Sequence, residues 1–84
     1  MTDKKLYKIG NWLDKNRIPY EFTHFTDGTM VLIAQHDYDG PYPTNNSLRI
    51  MEAVRKFVNR FYSDYTTEVR GYKQATYIYR REIK

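Results

Sequence analysis

Two strand-like runs of residues flank the dipeptide Asp27-Gly28, and this arrangement limits the fold of the chain more than any other feature. The first run covers residues 18–25 and the second covers residues 30–36. A period of two is typical of β-strands, and Asp-Gly between two such runs predicts a β-hairpin with a two-residue turn. On that register one face carries Tyr20, Phe22, His24, Val31, Ile33 and Gln35, and the other carries Thr23, Phe25, Met30 and Leu32.

A first helix is predicted before this hairpin, over residues 3–16. Its apolar positions recur at three- and four-residue spacing, as on the buried face of an amphipathic helix, and Thr2 and Asp3 are candidate N-caps. Pro19 disfavours helical geometry at Ile18, so we expect the helix to end near Asn16. The apolar positions are Leu6, Ile9, Trp12 and Leu13.

A second helix is predicted after the hairpin, from N-cap candidates at 44–47 to about Tyr65. Its residues separate into an apolar stripe and a polar face at helical spacing, which indicates one buried and one solvated side. The predicted buried stripe is Leu48, Met51, Val54, either Phe57 or Val58, Phe61 and Tyr65, and the predicted polar face is Arg49, Glu52, Lys56, Asn59, Arg60 and Ser63.

The remaining residues favour two further strands, 66–70 and 75–83, joined by a turn around 71–73. β-Branched and aromatic residues dominate both segments, as strands prefer. The chain therefore predicts a single α+β domain over residues 1–84, in the order helix-hairpin-helix-hairpin (αββαββ), with a mainly antiparallel four-stranded sheet packed on two helices. With no cysteine among 84 residues, packing alone must stabilise this fold.

The net charge of +4 is unevenly distributed along the chain. Residues 1–42 carry five Lys and Arg against six Asp and Glu, a net charge of −1, whereas residues 43–84 carry nine against four, a net charge of +5. A basic second half of this kind attracts a polyanion or an acidic protein surface. We therefore expect nucleic acid or an acidic protein surface as the partner.

Catalytic and metal-binding patterns fail when tested against the predicted fold. His24 and His36 lie far apart along the predicted sheet, so they cannot share a metal ion, and the segment 37–40 lacks the later ligands of a calcium loop. Glycine-rich phosphate loops and nucleophile motifs are also missing from the sequence. We expect a protein that is not an enzyme and that uses no cofactor, metal or small-molecule substrate.

The C-terminal hairpin has the most suggestive surface. A tight turn places Glu68, Arg70 and Tyr72 on the same face as Ala75, Tyr77, Tyr79 and Arg81, while Thr67, Val69, Thr76 and Ile78 turn toward the core. Tyrosines alternating with arginines can stack on bases and neutralise phosphates. This pattern predicts a nucleic-acid-binding or partner-binding surface formed by Arg49, Lys56, Arg60, Arg70, Tyr72, Lys73, Tyr77, Tyr79, Arg80 and Arg81.

A different class of function, a small inhibitor or adaptor that binds another protein, fits the doubly apolar first hairpin. Trp12, Tyr38 and Tyr42 are its candidate anchors, because aromatic side chains often carry binding energy at protein interfaces. The same surface could form a homodimer.

In size, lack of cysteine and richness in Tyr, Lys and Asn, the chain resembles small accessory proteins of bacteriophages and mobile elements. Some of these proteins block host nucleases in the manner of anti-CRISPR proteins. The resemblance lies in composition and assigns no residue a role. The basic second half departs from the acidic DNA mimicry that is common among such inhibitors.

A cytoplasmic location is expected from two further features of the sequence. Cysteine is missing, as suits a reducing compartment, and no apolar run approaches the roughly 18 residues that a membrane span requires.

Overall fold

The computed structural model describes residues 3–35, 45–70 and 75–81. The helices are α1 (Lys4–Lys15) and α2 (Asn45–Phe61). The strands are β1 (Tyr20–His24), β2 (Met30–Gln35), β3 (Tyr65–Arg70) and β4 (Ala75–Arg80). All strand pairs are antiparallel, and the order across the sheet is β1-β2-β4-β3. The predicted α+β class, with two helices and a four-stranded antiparallel sheet, is confirmed.

Helix α1 begins and ends close to the predicted positions. The Asp3 side chain caps its start, because Oδ1 accepts hydrogen bonds from the backbone N–H groups of Lys5 at 3.1 Å and Leu6 at 3.3 Å. At the other end, Ile18 N–H donates to the Leu13 carbonyl at 2.9 Å, and Arg17 adopts a left-handed backbone with φ of 58°. These contacts turn the chain from α1 into β1.

Helix α2 is shorter than predicted, and its buried stripe is narrower. Val54 and Val58 are fully buried as expected, but Leu48 and Phe61 are exposed, and the buried Tyr65 belongs to β3. The helix ends at Phe61 because the chain turns at Ser63-Asp64, where Tyr65 N–H donates to the Tyr62 carbonyl at 2.9 Å. From Tyr65 onward, the run with Thr66 and Thr67 favours a strand.

The loop between β1 and β2 differs from the predicted two-residue turn. Phe25 N–H donates to the Thr29 carbonyl and Gly28 N–H donates to the Phe25 carbonyl, both at 2.9 Å, so the loop contains three residues, 26–28. Gly28 takes a positive φ of 92°, which a glycine adopts without steric cost, and Asp27 Oδ1 accepts from Thr29 N–H at 2.9 Å. The extra loop residue shifts the register by one.

This shift changes which β2 side chains share a face with the half-buried Tyr20 and Phe22 of β1. His24 pairs with Met30 rather than Val31, and Phe22 pairs with Leu32 rather than Ile33. Side chains alternate between the two faces of a strand. Every β2 side chain that was assigned to a face relative to β1 therefore lies on the other face. The consequence is that Leu32 and Ala34 enter the core beneath the helices, and Val31 and Ile33 lie on the opposite face of the sheet.

The core lies between the two helices and one face of the sheet. Helix α1 covers β1 and β2, and α2 covers β3 and β4. Gly10 allows α1 to approach the sheet closely, since a Cβ atom there would lie 3.1 Å from the Tyr20 ring and 3.3 Å from the Phe22 ring. The buried cluster contains Leu6, Ile9, Leu13, Ile18, Leu32, Ala34, Val54, Val58, Tyr65 and Ile78. Thr76 and Ile78 are buried as predicted, whereas Val69 is exposed.

Candidate nucleic-acid interface

The two helices carry more positive charge than the whole chain. Helix α1 contains four Lys against one Asp, and α2 contains four Lys and Arg against one Glu, so each helix has a net charge of +3. Because the entire chain has a net charge of +4, the residues outside the helices sum to −2. The fold therefore gathers positive charge from both halves of the sequence into one layer.

On α1 the cations lie opposite the buried face. Leu6, Ile9 and Leu13 point into the core, and the positions on the other side of the helix follow at spacings of four, three and four residues. These positions are Lys4, Lys8, Asn11 and Lys15, all of them exposed. This outer stripe contains no acidic residue.

Helix α2 repeats this arrangement. Val54 and Val58 point into the core, and the opposite side of the helix carries Arg49, Ala53, Lys56 and Arg60, all exposed. Glu52, three residues after Arg49 and four before Lys56, is the one acidic residue on this side. The cations of the two stripes form a surface that we call the basic helical layer. It consists of Lys4, Lys8, Lys15, Arg49, Lys56 and Arg60.

Two acidic side chains near this layer, Glu52 and Asp64, are engaged by cations from outside it. Glu52 forms an ion pair with Arg55, whose hydrogen bond lowers the pKa of that carboxyl group. Asp64 accepts from Lys5 Nζ at 3.3 Å, and this hydrogen bond lowers the pKa of Asp64. Neither of these two ion pairs includes a cation of the basic helical layer, although the charge of Lys56 also lowers the pKa of Glu52.

Contacts between the helices show that they run antiparallel. Lys5, in the first turn of α1, reaches Asp64 just beyond the end of α2, while Trp12, near the end of α1, stacks on Phe57. Residues 5–12 of α1 thus run alongside the last turn of α2 and the residues that follow it, up to Asp64. Because both helices pack on the same face of the sheet, both basic stripes face away from it, and they lie next to each other at the C-terminal end of α2.

Aromatic rings occupy the space between the helices. Trp12 and Phe57 are stacked, with ring centroids 4.1 Å apart and an interplanar angle of 11°. Phe57 also contacts Phe61 at 5.3 Å, and the Arg60 guanidinium lies 5.3 Å from the centroid of the Phe61 ring. Phe61 remains 61% exposed, so an aromatic surface and cations reach solvent at the same place.

The predicted site residues fall into separate regions instead of forming one surface. Arg49, Lys56 and Arg60 belong to the basic helical layer. Tyr77 and Tyr79 alternate with the buried Thr76 and Ile78, and so lie on the face of the sheet opposite the helices.

The remaining predicted residues lie at the ends of β3 and β4 or outside the described ranges. Arg80 borders a cleft beside the start of α1, and exposed Arg81 follows β4, where its N–H donates to the Asp64 carbonyl at 2.7 Å. The backbone of Arg70 pairs with that of Ala75. The side chain of Arg70 lies outside the described part of the chain, and so do Tyr72 and Lys73.

The sheet face opposite the helices is not basic in its centre. Two rows of cross-strand partners cross it: Glu21, Ile33, Tyr77 and Glu68 in one, and Thr23, Val31, Tyr79 and Thr66 in the other. Val31 is fully buried although no described helix covers this face, and its neighbour Tyr79 packs edge-on against Phe25 at 5.0 Å. Tyr79 also donates to Glu68 Oε2 at 3.0 Å. These contacts give Tyr79 a structural role.

The cleft beside α1 has a volume of about 430 Å³, and a partly buried hydrogen bond lies at its wall. The Tyr65 hydroxyl donates to the Asp3 carboxylate, 2.6 Å from each oxygen. Burial, together with this carboxylate, raises the pKa of Tyr65. Lys4, Lys5 and Arg80 also line the cleft, so the net charge around Asp3 is positive.

Residues considered for other functions occupy ordinary positions. His24 is exposed at the end of β1, and the described ranges hold no group of three or more potential metal ligands. Trp12, a candidate anchor for a protein partner, is half-buried against Phe57. Tyr38, Tyr42 and His36 lie outside the described residues. Neither described helix combines the length and apolarity needed to cross a membrane.

Lys4, Lys8 and Lys15 were not among the predicted site residues, although their signal is present in the sequence. They occupy the positions complementary to Leu6, Ile9 and Leu13 on the same helix. Comparing the charge of helices, rather than of chain halves, would have found them.

No protein-family model matches the chain, and searches of curated proteins and of solved structures found no match.

Proposed function

We propose that this protein is a small, non-enzymatic nucleic-acid-binding protein that uses the basic helical layer as its contact surface. The supporting observation is that all six cations of the layer lie exposed on the outer sides of two helices that pack on the same face of the sheet, and that Glu52, the acidic residue among them on α2, is paired with Arg55. Closely spaced cations on one surface raise the local potential above what the net charge alone produces. A phosphate backbone is the ligand that such a surface attracts most strongly.

The proposed surface differs from the tyrosine-rich C-terminal surface suggested by the sequence. Tyr77 and Tyr79 lie on the other face of the sheet, in rows whose described charges are those of Glu21 and Glu68. Carboxylates repel phosphates, so this face is poorly suited to a nucleic acid. The helical layer is the better candidate because it combines positive charge with exposure.

The proposal is tested with two double variants that lower the net charge equally. Lys8→Gln with Arg60→Gln removes one layer cation from each helix, whereas Arg80→Gln with Arg81→Gln removes two exposed cations at the end of β4. Affinity for mixed-sequence DNA and RNA oligonucleotides is measured by fluorescence anisotropy at low salt. We expect the layer variant to lose about tenfold in affinity and the control to lose less than about threefold.

The result that would overturn the proposal is no binding of wild-type protein to any oligonucleotide at about 50 mM salt, where phosphate contacts are strong. Equal losses in the two double variants would reject the helical layer as the site, because a nonspecific effect of net charge would then explain the binding.

An acidic protein surface is the second candidate ligand, as for an inhibitor or adaptor, and the same cations favour it. A polyglutamate peptide that matches the oligonucleotide in charge distinguishes the two. Displacement of the oligonucleotide at equal charge concentration would favour the acidic protein surface, and failure to displace it would favour nucleic acid.

A further inference from the structure

The exposed ring of Phe61 borders the basic helical layer beside Arg60, and this bears on the form of nucleic acid that the layer binds. We propose that the layer binds single-stranded nucleic acid and that Phe61 stacks on an unpaired base. This inference rests on the proposed function, and it adds the class of ligand.

Phe61 is the most exposed of the large hydrophobic side chains in the described part of the chain, at 61%. Phe57, one turn earlier, is half-buried because it stacks on Trp12. The core therefore does not account for Phe61, whereas a flat apolar ligand would remove its ring from water. Bases provide such a flat surface, and stacking on an aromatic side chain tolerates any base.

The charges around Phe61 suit the backbone that carries such a base. Arg60 lies 5.3 Å from the ring centroid, within the distance of a cation–π contact, and a guanidinium plane can itself stack on a base or bind a phosphate. Lys8 is exposed on the segment of α1 that runs alongside residues 57–64. A strand whose base reaches Phe61 would therefore have cations on both helices available to its phosphates.

A regular duplex cannot use this ring in the same way. Its bases are already stacked and paired. The layer would therefore gain phosphate contacts but no base stacking, unless base pairs of the duplex were opened at a cost in free energy. The arrangement of ring and cations thus predicts a preference for single strands. It also predicts that the preference depends on bases as well as phosphates.

The test compares three probes of equal length, about 15 nucleotides: oligothymidylate, an abasic strand with the same phosphates, and a duplex. Binding is followed by anisotropy and by the fluorescence of Trp12, the one tryptophan of the chain, which stacks on Phe57 beside Phe61. We expect wild-type protein to bind oligothymidylate about tenfold more tightly than the abasic strand. The duplex should also bind more weakly than oligothymidylate.

Phe61→Leu keeps an apolar side chain but removes the ring, and Phe61→Trp keeps a ring. We expect Phe61→Leu to bind oligothymidylate and the abasic strand equally, with unchanged affinity for the abasic strand, and Phe61→Trp to retain the preference. Tyr7→Leu is the matched control, because Tyr7 is an exposed ring on α1 that packs against Phe22 of β1, away from α2. It should retain the preference as well.

Equal binding of oligothymidylate and the abasic strand by wild-type protein would overturn the base-stacking proposal and leave the proposed function standing. Retention of the preference in Phe61→Leu would also overturn it, since another residue would then be stacking. Failure of all three probes to bind at low salt would reject the proposed function itself.

Discussion

The Tyr65 hydroxyl donates to the carboxylate of Asp3, 62 residues earlier in the chain, at 2.6 Å from each oxygen. The same carboxylate caps α1 through the N–H groups of Lys5 and Leu6. Asp3 thus joins the start of α1 to the start of β3, which brings the N-terminal helix and the C-terminal strands into one unit. The position of α1 over the sheet, and with it half of the basic helical layer, depends partly on this contact.

We predict that Tyr65→Phe lowers the free energy of unfolding by about 1.5–3 kcal/mol, because the ring stays but the hydrogen bond to a charged partner is lost. Urea denaturation with circular dichroism measures the change. Tyr7→Phe is the control, since Tyr7 is 45% exposed and its hydroxyl forms no hydrogen bond within the described part, so it should change stability by less than about 0.5 kcal/mol. A Tyr65→Phe variant as stable as the control would show that Asp3 caps α1 independently of β3.

A second prediction about stability follows from the backbone conformation of Gly28. Gly28→Ala should cost about 1 kcal/mol, because φ is 92° and an alanine Cβ is disfavoured there. The cost is that of the backbone alone, since no atom lies within 4 Å of the added Cβ. Gly28→Asn should cost less, as asparagine tolerates positive φ better. Thermal denaturation of the two variants provides the comparison, and an alanine variant at least as stable as wild type would contradict the loop conformation.

Helix α1 could be predicted from the sequence, whereas the length of the loop between β1 and β2 could not. The spacing of Leu6, Ile9 and Leu13 determines α1 because amphipathic periodicity and tertiary packing agree there. Asp27-Gly28 predicts a turn but is compatible with loops of two or three residues. A two-residue type I′ turn needs a positive φ at both residues, whereas here Gly28 has a positive φ and Asp27 does not. One residue of difference moved Leu32 from one face of the sheet to the other.

The site was less predictable than the fold, for a related reason. Tyr77 and Tyr79 favour a strand whether they bind a ligand or cover a neighbour such as Val31, so their pattern does not separate these roles. The basic helical layer depends on how α1 and α2 lie relative to each other. That arrangement follows from contacts such as Trp12 with Phe57, which no local pattern contains.

The tyrosines supply a third prediction, which separates the two proposed surfaces. Tyr77→Leu with Tyr79→Leu should leave oligonucleotide affinity within about twofold of wild type if phosphates are bound by the helices. The double variant should nevertheless be less stable, because Tyr79 loses its contact with Phe25 and its hydrogen bond to Glu68. Anisotropy and urea denaturation on one preparation test both parts. A large loss of affinity in a variant that remains folded would show that the C-terminal strands, and not the helices, bind the oligonucleotide.

The fourth prediction concerns salt, because phosphate contacts release counterions from the nucleic acid. Each lost phosphate contact should reduce the slope of log affinity against log salt concentration by about 0.7 for a single strand and about 0.9 for a duplex. Lys8→Gln with Arg60→Gln should therefore reduce the slope by about 1.4 for oligothymidylate. Titrations between about 50 and 200 mM salt provide the measurement.

Phe61→Leu separates charge from stacking in the same titrations. Base stacking releases no counterions, so this variant should bind oligothymidylate more weakly at every salt concentration while keeping the wild-type slope. Arg80→Gln with Arg81→Gln should keep the wild-type slope and lose less than about threefold in affinity. If the layer variant retained the wild-type slope, Lys8 and Arg60 could not be contacting phosphates, because the loss of a neutralised phosphate must appear in the number of counterions released.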